Sequence, residues 1–286
     1  MKTIKYFFEF LIICFLILIF RVMGYRLASN FGSLLGFLFG PLFRSQKLII
    51  SNIKKCLPNI DLNETKKIAK KMWSNYGRIL AEYIFISDFR KSKLNKYLKI
   101  EGIEILEKIS KEKEPVIFIS GHFNNFELMA MQIEKSGVKL AAIYRPLNNF
   151  LINKIMETIR KKYICEHQIK KGMSGVREMV KFYKKGYSIA LMIDQRVSEG
   201  IKIKFFNEPA FTTTIPAQLV KKFKCKIVPI YIERTDNYKY RMKIDAPLKF
   251  RENQDIESIS LDLNKWLERK ILLNPEQWIW SHNRWK

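Results

Sequence analysis

The chain is predicted to be an α/β protein: a mixed, largely parallel sheet flanked by helices, carried behind an N-terminal membrane-anchoring helix. Three observations predict it. From about residue 100 onward, short apolar runs alternate with segments of helical periodicity, the pattern of strands joined by crossover helices. At 286 residues and 48% hydrophobic composition the chain can bury a sizeable core. Residues 10–20 form an apolar run of eleven residues.

That run, widened to 6–25 with Arg21 snorkelling to the interface, approaches the roughly 20 residues a membrane helix needs. The rival is a cleaved signal peptide with Lys2 and Lys5 as its basic end, but no persuasive small-x-small cleavage site follows. Arg26, Arg44, Lys47, Lys54 and Lys55 come next and favour a cytoplasmic body. A second apolar piece, 31–43, holds Pro41 and several small residues, and suits a membrane-surface helix or docking hairpin. The expected organisation is an anchor at 1–26, a membrane-associated docking segment at 27–60, and one catalytic body at 61–286.

Within the body, Ile68, Met72, Trp73, Tyr76, Ile79, Leu80 and Tyr83 recur at helical spacing, predicting a helix over 62–86. Strands are expected at 116–120, 139–143, 188–193, 201–206 and 226–232, and helices at 149–161, 173–184, 214–223 and 256–273. No internal repeat or low-complexity linker interrupts 60–286.

In open α/β sheets, sites form at the carboxyl ends of strands, and three polar clusters fall there. The first is 121–127, Gly-His-Phe-Asn-Asn-Phe-Glu. His122 would occupy the strand-to-helix turn, and Glu127, in the first helical turn, could fold back toward it as the carboxylate partner of a general base. Alternatively, Asn124 and Glu127 form a capping box with no chemical role. The second cluster is 144–149, where Pro146 stops the strand beside Arg145 and Asn148. The third is Asp194, Gln195 and Arg196. A fourth segment, 205–216, places Thr212, Thr213 and Thr214 before a helix whose first turn holds Pro216. It reads either as plain capping or as amides that receive an oxyanion or phosphate.

The charge excess is +25, from 52 Lys and Arg against 27 Asp and Glu. Such a field draws anionic partners: nucleic acid, acidic lipid, phosphorylated substrate or an acidic carrier protein. No zinc-finger spacing or RNA-binding aromatic signature accompanies it, which leaves nucleic acid as a runner-up. Cys14, Cys56, Cys165 and Cys225 are scattered, which argues against a metal site or disulfide framework and suits a reducing compartment.

The His-x4-Glu segment, the Tyr-Arg-Pro-Leu-x-Asn run, Asp194-Gln195 and the Phe-Phe-x-x-Pro-Ala-x-Thr stretch occur in this order. With the tail Pro-Glu-Gln-Trp-Ile-Trp-Ser-His at 275–282, they resemble the late acyltransferases of lipid A biosynthesis over nearly the whole chain. The resemblance implies an enzyme in the bacterial inner membrane with a cytoplasmic active site and no metal or organic cofactor. Its donor would be acyl-acyl carrier protein and its acceptor a hydroxyl of a phosphorylated lipid A precursor, with anionic membrane lipids around it and no nucleic acid. His122 would be the base and Glu127 its partner. Arg145, Asn148, Arg160, Asp194, Gln195, Thr212 and Thr213 would bind substrate or oxyanion. Alternatives are acylation of another glycolipid, a glycerophosphate or an aminolipid, and, more remotely, a non-catalytic basic protein that binds membranes or nucleic acid.

Overall fold

The computed structural model describes residues 2–286. Helix α1 (Lys2–Phe43) is bent at Gly24, where φ 75° and ψ 165° interrupt the helical backbone. Among the described residues it is the one helix long and apolar enough to cross a membrane. The second apolar piece is therefore the continuing helix, not a hairpin. A short α2 (Gln46–Cys56), capped by Ser45, leads to α3 (Leu62–Glu82), capped by Asp61.

The second limb of α1 packs on α3 through glycine. A Cβ on Gly36 would lie 2.2 Å from the Trp73 carbonyl oxygen, and one on Gly77 only 1.9 Å from that of Gly32. Only glycine lets two backbones approach so closely. Beside this seam, Arg234 forks onto the buried Glu82 carboxylate at 2.7 and 3.0 Å, and Ser29 donates to the same group at 2.6 Å.

After α4 (Ile86–Arg90), the chain alternates through β1 (Leu98–Glu101), α5 (Ile103–Glu112), β2 (Ile117–Ser120), α6 (Glu127–Lys135), β3 (Leu140–Tyr144) and α7 (Phe150–Ile159). A single π-helical turn, Arg160–Ile164, ends α7 and opens the way to β4 (His167–Lys170), α8 (Met173–Lys184) and β5 (Ser188–Met192). The hairpin β6 (Ile201–Phe205) and β7 (Glu208–Thr212) follows, then α9 (Ile215–Phe223), β8 (Ile227–Asp236), β9 (Lys239–Ile244) and α10 (Ile256–Leu273). Seven strands form one sheet in the order β1-β9-β8-β2-β5-β3-β4. Every pairing in it is parallel except β8 with β9. The sheet is thus mixed and largely parallel, and β2, at its centre, is buried throughout.

Four strands lie outside the expected set: β7 in the hairpin, and β1, β4 and β9 in the main sheet. β4 is a short polar edge strand, β1 is four residues long, and β9 alternates Lys-Tyr-Arg-Met-Lys-Ile with alternate residues buried; none carries a continuous apolar run. The run at 201–206 is a strand, but it leaves the main sheet. Phe206 and Asn207 both have positive φ (51° and 61°), the turn geometry that folds a two-residue hairpin, so β6 pairs with β7 alone.

Gly77→Ala should lower stability by about 1–3 kcal/mol through overpacking of the α1–α3 seam. Thermal unfolding of Gly77→Ala against wild type in detergent checks this.

Candidate active site

The sheet register builds the site. In the parallel pair β2–β5, Ser120 lies opposite Met192. His122 and Asp194 each follow two residues later, so they leave equivalent positions on adjacent strands. The Asp194 carboxylate is fully buried and takes three donors. The His122 ring Nδ1 lies 2.7 Å from Oδ1, while the His122 backbone N–H and the Trp278 indole N–H donate to Oδ2 at 2.8 and 2.9 Å. Burial by itself would raise this carboxyl, but the His122 charge and these hydrogen bonds outweigh it and hold the group down at about 2, against an ordinary 3.8. An ionised carboxylate only accepts, so Nδ1 carries a proton, and in the neutral imidazole the lone pair is on Nε2. The His122 side chain is 22% exposed, with its ring edge-to-face on Phe126 at 5.0 Å. The arrangement can take a proton from a group presented at Nε2.

The expected Glu127–His122 contact is not the one formed. Neither is the capping box: α6 begins at Glu127 itself, and Asn124 takes a left-handed backbone (φ 45°) instead of an N-cap geometry. That turn sends the Asn124 amide to the Ile232 carbonyl at 3.0 Å and to Gln277 Oε1 at 2.8 Å. It leaves Glu127 facing the π-helical turn, where Arg160 binds Oε1 through Nε at 2.8 Å and Nη2 at 2.5 Å. Adjacent strand ends thus supply the histidine's carboxylate, and the helix start supplies a buried ion pair. Burial would lower the Arg160 pKa, but Glu127 overrides this and raises it. Arg160 Nη1 is buried without a partner among the described residues, and the guanidinium lies 5.6 Å from the centre of the Tyr144 ring.

The other expected site residues separate into two groups. Gln195 Nε2 lies 3.5 Å from His122 Nε2, and Arg145 and Asn148 are exposed just beyond β3. Thr212 and Thr213 are committed to the fold instead. The Thr212 hydroxyl donates to the Ala210 carbonyl at 3.0 Å and accepts from Arg284 at 2.8 Å and Asn264 at 3.2 Å, so it has nothing left for an oxyanion. Thr213 accepts the Ile215 N–H at 3.4 Å, at the start of α9. The N-cap of α9 is Thr214, which makes no side-chain cap bond; of these two hydroxyls only that of Thr213 serves the start of the helix.

The tail closes the site from behind. His282 accepts the Arg196 backbone N–H at Nε2, at 3.0 Å, and burial lowers its pKa to about 4, which keeps it neutral at physiological pH. Trp278, Trp280 and Arg284 are all buried. Trp278 had no sequence signal beyond its place in an aromatic tail, because its role depends on a carboxylate 84 residues earlier.

A histidine held by a buried carboxylate at the carboxyl ends of two adjacent parallel strands is an arrangement able to accept a proton from a hydroxyl or water. The family model for bacterial lipid A biosynthesis acyltransferases matches residues 1–286, and the chain belongs to that family. Its activity therefore takes a lipid A precursor as acceptor together with an acyl donor. The chain is 26% identical over 270 residues to the lipid A biosynthesis lauroyltransferase of Escherichia coli (strain K12), covering 92% of this chain and 85% of that one. It is 23% identical to the palmitoleoyltransferase of the same strain, covering 92% and 86%, and 22% identical to its myristoyltransferase, covering 82% and 73%. Among solved structures, it is similar to the 1-acyl-sn-glycerophosphate acyltransferase PlsC from Thermotoga maritima, with a TM-score of 0.41 and 12% identity, covering 89% of this chain and 96% of that one.

Because the Asp194 pKa is depressed, its contribution to stability is present above pH 3.8 and is lost as pH falls through about 2. Acid unfolding followed by circular dichroism between pH 5 and 2 should therefore be steeper in wild type than in Asp194→Asn. Trp278→Phe removes one of the three donors to a buried charge and should cost roughly 1.5–3 kcal/mol in urea unfolding.

Proposed function

We propose that the protein transfers a fatty acyl group from acyl-acyl carrier protein to a hydroxyl of a phosphorylated lipid A precursor, at the cytoplasmic face of the bacterial inner membrane. The observation that carries this reading is the 2.7 Å contact between His122 Nδ1 and the buried Asp194 carboxylate. An alcohol is a poor nucleophile at neutral pH. His122 Nε2 takes its proton as the oxygen attacks the thioester carbonyl carbon, and Asp194 holds the tautomer and stabilises the imidazolium. The tetrahedral oxyanion then collapses, the C–S bond breaks, and the departing thiolate takes the proton back from His122. No covalent enzyme intermediate is required.

Glu127 acts in this scheme through Arg160. By engaging Nε and Nη2, it fixes the orientation of the guanidinium. A fixed fork of this kind suits phosphate or a developing oxyanion. Arg145, exposed beyond β3, is the second cation available to the substrate, and Asn148 and Gln195 are the nearby amides. The formal charge of +25 suits all three anionic partners: the carrier protein, the phosphorylated acceptor and the acidic lipid surface.

Transfer in detergent micelles from labelled acyl-acyl carrier protein to a Kdo-bearing lipid A precursor tests the proposal. His122→Ala should lose about two to four orders of magnitude. Asp194→Asn should lose a comparable amount with little change in KM, whereas Arg160→Lys should raise KM for the acceptor. Full activity in His122→Ala would refute the assigned base. Transfer by wild type to glycerophosphate or an aminolipid but not to the lipid A precursor would refute the acceptor.

A further inference from the structure

The first limb of α1, before the bend at Gly24, is held by the body near both of its ends. Toward its start, the buried Asn149 amide donates to the Tyr6 carbonyl at 2.9 Å and to Glu9 Oε2 at 3.0 Å. Toward its end, the Arg21 guanidinium binds Asp88 and lies 5.2 Å from the centre of the Phe85 ring. Between these points, Phe10, Ile13, Leu16, Ile17 and Phe20 are partly or fully buried on one side, while Leu11, Phe15, Leu18 and Val22 are exposed on the other. From Tyr6 to Arg21 the helix rises about 22 Å, at about 1.5 Å per residue.

A helix that crosses a bilayer leaves a cytoplasmic body behind; this one stays beside its body for that whole rise. The neighbour at its start is α7, which exposes Lys154 and is followed by exposed Lys161 and Lys162. Placing Tyr6 and Glu9 on the far side of the membrane would carry those lysines into hydrocarbon, at about 2.5–3.5 kcal/mol each near the centre. Within residues 6–23 the charged side chains, Glu9 and Arg21, both bind the body, Arg21 staying half-exposed at the end of the limb, and the exposed face between them, Leu11, Ile12, Phe15 and Leu18, is apolar. Exposed apolar residues continue on the second limb at Leu34, Leu38, Leu42 and Phe43, and beside α7 at Leu147 and Phe150. Lysines of α3 border the second limb, with Lys70 Nζ 5.7 Å from the centre of the Phe37 ring.

We infer that α1 lies in the plane of the membrane and does not span it: its outer apolar face is embedded in the cytoplasmic leaflet, and its basic border meets anionic headgroups. The inference rests on the membrane location proposed above, but not on the proposed reaction. It places Asn149, and with it the exposed 145–148 segment after β3, at the lipid surface.

Labelling of introduced cysteines with a membrane-impermeant maleimide tests it, using Thr3→Cys at the start of α1 and Lys184→Cys on the body, each compared with wild type for background from native thiols. Both variants should retain acyl transfer. In-plane placement requires both to label in inside-out inner-membrane vesicles and neither in spheroplasts. Labelling of Thr3→Cys in spheroplasts while Lys184→Cys stays protected would establish a crossing and overturn the inference. Release of wild type from vesicles by alkaline carbonate without detergent would overturn the embedded face. Neither readout depends on the reaction, so loss of transfer to the lipid A precursor with the expected labelling would count against the proposed chemistry alone.

Discussion

A fully buried carboxylate must find hydrogen-bond donors and opposite charge or lose its own, and at Asp194 that requirement organises the site. Its three donors come from the loop after β2 and from the C-terminal tail. The same contacts that keep the group ionised fix the His122 tautomer, seat the backbone of the catalytic loop, and pull Trp278 against the back of the sheet. Electrostatic need and catalytic geometry are met by one set of bonds. The C-terminal tail is accordingly part of the His122–Asp194 site.

Two other buried ion pairs divide the remaining structural work. Glu127 with Arg160 clasps the start of α6 to the π-helical turn after α7, so the loop bearing His122 is fixed at both ends. Glu82 with Arg234 joins α3 to β8, and the Tyr240 hydroxyl and Ser29 complete the shell around the carboxylate. Buried pairs of this kind contribute little net stability, since desolvation offsets attraction, yet breaking one leaves an uncompensated charge. Their effect is to fix relative position. One sets the catalytic loop, and the other sets α1 against the sheet.

Much of this was legible in the sequence because apolar periodicity reports burial. The central strands and the helices that cover them stand out as continuous runs or 3.6-residue stripes, and the strand ends carry the polar clusters. β4 and β9 were not legible, since an edge strand and a half-exposed antiparallel strand lack such runs. Both His122 and Asp194 could be found as polar residues at strand ends, but their pairing could not. It depends on register between strands 72 residues apart, which no local pattern encodes. Sequence proximity pointed instead to Glu127, five residues from His122. A left-handed residue at Asn124 turned that carboxylate elsewhere. Thr212 and Thr213 read as a hydroxyl cluster, but the tail residue Arg284 and the Ile215 N–H at the start of α9 already use them.

The Glu82–Arg234 pair also constrains the order in which the molecule can fold. Its members are 152 residues apart, and closing so long a loop carries an entropic penalty that local contacts do not. Until Arg234 arrives, the Glu82 carboxylate has to remain hydrated, so α3 cannot bury that face against Ser29 and α1. The glycine seam between the two helices, though local and ready early, therefore cannot close completely before β8 is in place. Final docking of the apolar helix onto the body becomes a late event, coupled to completion of the sheet.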